Sequence, residues 1–196
     1  TGTIDNGANT VDSPGDRKII GNSEPRYIYT LSFSADWNNF FLSAMFDGVG
    51  KQDWYPSGES SFWGQYNRPY NQVPVWHLNN YWTKDRPDAY LPRYSGYYNP
   101  LYKGTANTRY LQDVSYFRLK NLQFGYNLPK KWIAKAGFSK VSVYFSGENL
   151  WSWSPLYRHT KDYDVTVITK GSDNDLTSGN KGDGFNYPTM RNLSLG

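Results

Sequence analysis

Residues 114–132 read VSYFRLKNLQFGYNLPKKW, and the side on which their apolar residues fall changes part-way along. Phe117 and Leu119 are apolar at odd positions, with Arg118 and Lys120 between them. Beyond Asn121 the apolar set moves to even positions, Leu122, Phe124, Tyr126 and Leu128, and Gln123, Gly125 and Asn127 take the other side. Period-two alternation marks a β-strand with two unlike faces. This strand is long and aromatic, and it is polar on the face that a dry core would occupy.

Four other segments follow the same rule. In RYIYTLSFSADW, Tyr27, Tyr29, Leu31, Phe33, Ala35 and Trp37 share one face, and only Ile28 breaks the pattern. Asn38-Asn39 follows, and FFLSAMFDGVG begins at once, with Phe40, Leu42, Ala44 and Phe46 on one side, as in a hairpin with a minimal turn. KVSVYFSGENLWSW sets Val141, Val143, Phe145, Gly147, Trp151 and Trp153 against Ser142, Ser146 and Glu148, and MRNLSLG is a shorter fifth segment. Strands are expected near 26–37, 40–50, 114–127, 140–153 and 189–196. Between the third and fourth, Pro129 at a first turn and Gly137 at a C-cap predict one short helix near 129–136. The remaining connections, 52–113 and 154–188, are far longer than ordinary loops, and loops of that length tend to be functional.

Composition separates two explanations of a half-polar sheet. Aromatic residues are 18% of the 196, with 18 Tyr and 8 Trp, while the mean hydropathy is −0.76. Such a chain has little aliphatic material for a large dry core, and Tyr and Trp suit places where one end of a ring is greasy and the other wet. A soluble sheet with one solvated face alternates equally well. Short turns at one end, long loops at the other, and aromatics at both (Trp37 and Phe40, Trp151 and Trp153) favour an outer-membrane barrel, with its apolar exterior, polar lumen and interfacial girdles. The change of side near Lys120-Asn121 then reads as a β-bulge, or as the strand rising beyond the bilayer, where lipid no longer dictates the face. Five strands cannot close, since bacterial barrels start at about eight, so the chain is expected to be part of something larger. The net charge of +4 comes from 21 basic residues spread along the chain, not the basic stripe that nucleic acid requires. Without cysteine neither disulfides nor thiolate metal sites are possible.

At this point DVSYFRLKNLQFGYNLPKKWIAKAGFSKVSVYFSGENLWSWS resembles the C-terminal signature of SusC/RagA-type TonB-dependent outer-membrane transporters. DRKIIGNSEP, FDGVGKQDWY, WHLNNYWTKDRPDAYLPR and YPTMRNLSLG resemble further blocks of that family, in order, so the likeness spans nearly the whole chain. The resemblance implies an all-β fold, a transmembrane antiparallel barrel of about 22 strands with a plugged lumen, of which these would be the last five or so. It implies short periplasmic turns, the 129–136 helix among them, and extracellular loops at 52–113 and 154–188. It implies a transporter in the outer membrane of a Gram-negative bacterium that imports glycans or peptides. Its partners would be a SusD-like surface lipoprotein, the rest of the barrel with its plug, the TonB complex through an upstream segment, the oligosaccharide or peptide substrate, and outer-membrane lipid. No enzymatic role and no cofactor follow from it. The acidic loop that family members often carry before the IGN block is degraded in TIDNGANTVDSPGDR, and no calcium is inferred there.

Site chemistry is sparse. His77 and His159 are the two histidines, and His77 in VWHLNNYW reads as a structural loop residue. Asp53, Glu59, Asp85 and Asp88 read as solvated loop charges rather than a glycosidase pair. Asp173, Asp175 and Asp183 lack the spacing of an EF-hand. The candidate binding features are loop aromatics, Trp54, Tyr55, Trp63, Tyr66, Trp76, Trp82, Tyr97 and Tyr98, whose flat rings with polar handles suit sugar stacking or a protein partner. The plain alternative is that they pack the loops together. Two other functional readings stay open: a soluble carbohydrate-binding β-domain and a surface barrel that does not transport.

Overall fold

The computed structural model describes residues 7–8, 10–16, 18–56, 73–93, 106–168 and 189–196. Its centre is one antiparallel sheet. Strands β1 (Ile28–Trp37), β2 (Phe40–Val49), β5 (Tyr116–Asn127), β6 (Ser142–Trp153) and β7 (Asn192–Leu195) lie side by side in that order. Two further strands, β3 (Asp53–Trp54) and β4 (Gln112–Asp113), pair apart from it. The segment leading into β1 runs on beside the end of β2: Gly50 N–H donates to Tyr27 O at 2.7 Å, and Arg26 N–H to Lys51 O at 2.9 Å. Among the described residues the sheet does not close; β1 and β7 are its two edges.

Cross-strand register lines the apolar residues up in rows. Trp37, Phe40, Tyr126 and Val143 form one; Ala35, Leu42, Phe124, Phe145 and Leu195 the next; Phe33, Ala44, Leu122, Gly147 and Leu193 the middle one. Beyond it come Leu31, Phe46, Leu119 and Trp151, then Tyr29, Gly48, Phe117 and Trp153. This face is open: its large side chains include Tyr29 at 38%, Phe33 at 53%, Trp37 at 76% and Leu195 at 85% exposure. Soluble monomers rarely leave a continuous apolar patch beyond a few hundred Å² uncovered. The opposite face carries Ser34, Ser43, Gln123, Ser146 and Ser194 in one row.

The change of side in β5 is a bulge at Lys120. On β2, Met45 and Phe46 are consecutive, yet their partners on β5 are Asn121 and Leu119, so Lys120 is the extra residue. One extra residue flips the parity of a strand. Here the flip returns Leu122, Phe124 and Tyr126 to the side held by Phe117 and Leu119. On β6 the partners of Leu119 and Asn121 are Trp151 and Glu148. That strand absorbs two residues, Asn149 and Leu150, and so keeps its parity. Asn149 adopts a left-handed φ of 53°. The strand that changes sides in sequence does not change sides in space.

Close packing on the sheet uses glycine where a neighbouring ring needs the room. A Cβ on Gly48 would collide with Tyr116 O and the Tyr29 ring, which lies across that position and donates its hydroxyl to Tyr116 O at 3.0 Å. The hairpin turn is equally specific. Asn38 and Asn39 have φ of 45° and 72°, the left-handed pair of a type I′ turn that matches strand twist. Asn39→Val would force a β-branched residue into that region, costing ~1–2 kcal/mol, while Asn39→Gly should be close to neutral. Denaturant midpoints of the folded protein measure both.

On the polar face, Arg118 grips Asp47 bidentately, Nε to Oδ1 at 2.8 Å and Nη2 to Oδ2 at 2.6 Å, and Lys120 Nζ stands 3.6 Å from the same carboxylate. Both side chains of the main pair are mostly shielded, at 13% and 16% exposure. Asp47→Ala would leave two cations facing each other's space, and should cost ~1–3 kcal/mol, between the values for exposed and for buried pairs. Adding Arg118→Leu should recover part of that loss in a folding titration.

Candidate functional site

The loops beyond the β2, β5 and β6 ends fold into a core of their own. Trp54, Leu91, Tyr110, Val114, Leu156, Tyr163, Val165 and Ile168 are buried together, with Tyr55, Trp76, Tyr81, Tyr90, Tyr116 and Tyr157 packed against them. Position on the sheet decides which face this cap covers. Tyr116 and Val49 pair with each other and share the polar-face parity of Arg118 and Asp47, and Val49 is buried. Tyr157 and Ser152 bring their hydroxyls within 3.1 Å, and Ser152 is the partner of Arg118. The cap therefore leans over the polar face and leaves the apolar one bare.

Polar groups, some buried and some exposed, fix the loops to one another. Gln52 donates from Nε2 to Ser23 O at 3.1 Å and its backbone carbonyl accepts from Val114 N–H at 2.9 Å. Gln112 Nε2 donates to Tyr90 Oη at 2.7 Å and Tyr110 O at 2.8 Å. Arg109 Nη2 donates to Ala89 O at 2.7 Å. Asp53 accepts from Asn22 N–H at 2.9 Å and pairs with Lys51 at 2.7 Å, tying the segment before β1 to β3; that ion pair, then Asp113 nearby, holds the Lys51 ammonium above its ordinary pKa. Asp164 accepts from Thr166 N–H at 2.9 Å and from Thr189 N–H at 2.7 Å. Burial pushes this carboxyl up, but the hydrogen bond from the Thr166 hydroxyl at 2.7 Å, with those from the two amides, outweighs it and holds the group below its usual range. It thus joins the loop after β6 to the approach to β7.

The sequence-predicted aromatics divide. Trp54 is 5% exposed, its ring 5.3 Å from that of Tyr163, so it is a centre of the cap and not a surface contact. Tyr55 is half-buried, accepts from Asn107 Nδ2 at 3.1 Å, and has its phenol pushed up to about 12 by burial and the neighbouring Tyr110 and Tyr90. Trp76 packs edge-on against the His77 ring at 4.3 Å, and His77 is fully buried. His159 stacks on Tyr90 at 4.3 Å. Burial, then Arg158, lowers its pKa. Trp82 is half-buried and lines an open recess of about 310 Å³ with Tyr81, Thr83, Lys84 and Arg93. Arg86 sits over the Tyr81 ring, 5.2 Å from its centre. Trp63, Tyr66, Tyr97 and Tyr98 lie outside the described residues, as do Glu59, Asp173, Asp175 and Asp183. Of the aromatics expected at membrane interfaces, Trp37 and Phe40 end one side of the apolar face and Trp151 and Trp153 the other. Sequence reasoning missed Tyr90, Tyr110, Arg109 and Gln112; their only signal was an aromatic-rich loop too long to be structureless. Among the described residues no cluster of three or more His, Asp or Glu could hold a metal ion.

The sheet is antiparallel, with one bare apolar face, one polar face and a loop cap over the polar face, the pattern that the wall of a membrane β-barrel requires. No family model matches the chain. TonB-dependent receptor P3 of Formosa agariphila is 30% identical over 191 residues, covering 94% of this chain and 17% of the relative. TonB-dependent receptor P26 of the same organism is 25% identical over 197 residues, 98% of this chain and 18% of that protein. The fold is similar to the structure of the RagAB peptide transporter (TM-score 0.51, 23% identity, 69% of this chain and 14% of that one). It is likewise similar to the RagAB peptide importer in its closed-closed state (TM-score 0.50, 23% identity, 74% and 15%). The curated relatives are TonB-dependent receptors, and the RagAB structures share the fold; the likeness covers a partial region of each. The chain spans less than a fifth of the length of each relative it matches.

Proposed function

We propose that this chain is the lipid-facing wall and part of the mouth of an outer-membrane active transporter. It imports oligosaccharides or peptides together with a SusD-like surface lipoprotein, driven through TonB by way of parts of the receptor outside this chain. The observation that carries the reading is the alignment of apolar residues in rows across four or five strands, many of them exposed, with a more polar reverse face. A soluble carbohydrate-binding sheet would leave that face in water, which the hydrophobic effect opposes. The short-turn end, with Asn38-Asn39 and 128–139, is periplasmic, and the loop cap is extracellular. Loop aromatics meet substrate and lipoprotein, with Trp82 and its basic neighbours Lys84 and Arg93 the described residues best placed to do so.

The test uses the full receptor in cells. A tag at exposed Asp88 should be labelled on intact cells, and one at Lys135 only after permeabilisation; the reverse result inverts the topology. Interface aromatics at hot spots contribute ~2 kcal/mol or more. Trp82→Ala with Lys84→Ala should therefore reduce lipoprotein co-purification or ligand uptake at least tenfold. If both stay at wild-type levels, the recess plays no part in either.

A further inference from the structure

The connection between β5 and β6 has a surface that no role above uses. Residues 128–141 read LPKKWIAKAGFSKV, with four lysines and no acid. A short helix α1 (Lys130–Ile133) runs into a 3-10 turn at Ala134–Ala136, and Gly137, with φ 77°, ends it. Phe138 N–H donates to Ile133 O at 3.2 Å and Gly137 N–H to Ala134 O at 3.1 Å, the paired closure of a Schellman cap. Ile133 is buried, yet Trp132 is 68% and Phe138 61% exposed. Lys130, Lys131, Lys135 and Lys140 are exposed as well. The turn is thus rigid and presents two large rings and four cations to its surroundings.

Its place in the fold says what those surroundings are. Leu128 N–H donates to Val141 O at 2.9 Å, and Asn127 N–H to Asn39 O at 2.8 Å. The turn therefore sits at the end of the sheet where the apolar face finishes in Trp37, Phe40, Tyr126 and Val143. We infer that 128–141 is an interfacial anchor that docks on anionic phospholipid headgroups, with Trp132 and Phe138 entering the headgroup boundary and the lysines meeting phosphate. Aromatics on a short basic element suit that boundary, and each lysine near an anionic surface strengthens docking about fivefold. The turn lies at the end of the sheet where the apolar face finishes, and its charge is complementary to such lipid. The inference rests on the proposed barrel reading.

The experiment takes the full-length receptor, freed of other reactive thiols, with bimane on Ser139→Cys. It is reconstituted in phosphatidylcholine vesicles with or without phosphatidylglycerol, each carrying a headgroup nitroxide. Stronger quenching is expected in the anionic vesicles. The Lys130→Gln, Lys131→Gln, Lys135→Gln variant should lower docking there about a hundredfold, and Trp132→Ala with Phe138→Ala should lower it in both compositions. Equal quenching in the two lipids, or indifference to lysine removal, overturns the inference. A turn shielded in cells but wet in vesicles overturns it too, and points to a protein at that site. A second label on Leu31→Cys separates the two levels. If an acyl-chain nitroxide quenches Leu31 while Ser139 stays in water, only the anchor fails; if Leu31 is also in water, the barrel reading fails.

Discussion

Leu31→Arg and Leu42→Arg should each cost ~2–4 kcal/mol of folded stability in a bilayer, the range for a cation near the midplane of a barrel's lipid face. Each lies one cross-strand row from the middle row, Leu31 opposite Phe46 and Leu42 opposite Ala35 and Phe124. Arginine there must strip its guanidinium of water or drag water into hydrocarbon. Ser32→Arg, one residue away on β1, enters the face of Met45, Asn121 and Glu148, and should cost far less. Equilibrium unfolding from vesicles compares the three. Equal tolerance at all of them would mean that neither face meets lipid.

Trp54→Ala should remove ~3–5 kcal/mol, the range for truncating a buried large aromatic to alanine, and the loss should be confined to the cap. Its ring lies inside the loop core with Tyr163, and its backbone holds the β3–β4 pair through Gln112. The strand ladders from Phe40 to Ser146 do not depend on it. Hydrogen exchange should rise at residues such as Val114 and Leu91, with β2 and β5 unchanged. Unchanged protection in the cap, combined with loss of binding to the proposed lipoprotein partner, would return Trp54 to the contact residues and empty the packing account.

The sheet was legible in the sequence because its signals are local. Period-two alternation is read within one strand, and Asn38-Asn39 announces its turn by residue type alone. The flip near Lys120 was visible as an anomaly. Choosing between a bulge and a strand leaving the bilayer needed the partners, because a bulge is defined by what lies opposite. The loop core was not legible for the same reason on a larger scale. Trp54, Leu91, Tyr110 and Tyr163 come from distant segments with no periodicity to link them. Nothing in WHLNNYW distinguishes Trp76 and His77, which pack, from Trp82, which lines a recess. A candidate list made from aromatic content therefore mixed packing residues with residues that remain available for contact.

The proposed barrel requires an apolar face that meets lipid and that Lys120 keeps continuous. Nitroxide scanning along β5 in the reconstituted receptor tests it most directly, one labelled cysteine at a time from 116 to 127, by accessibility to oxygen against a water-soluble paramagnet. Lipid-type accessibility is expected at 117 and 119, then at 122, 124 and 126, with the phase broken once, at 120. Unbroken alternation through 120, or water-type accessibility on both faces, would contradict it.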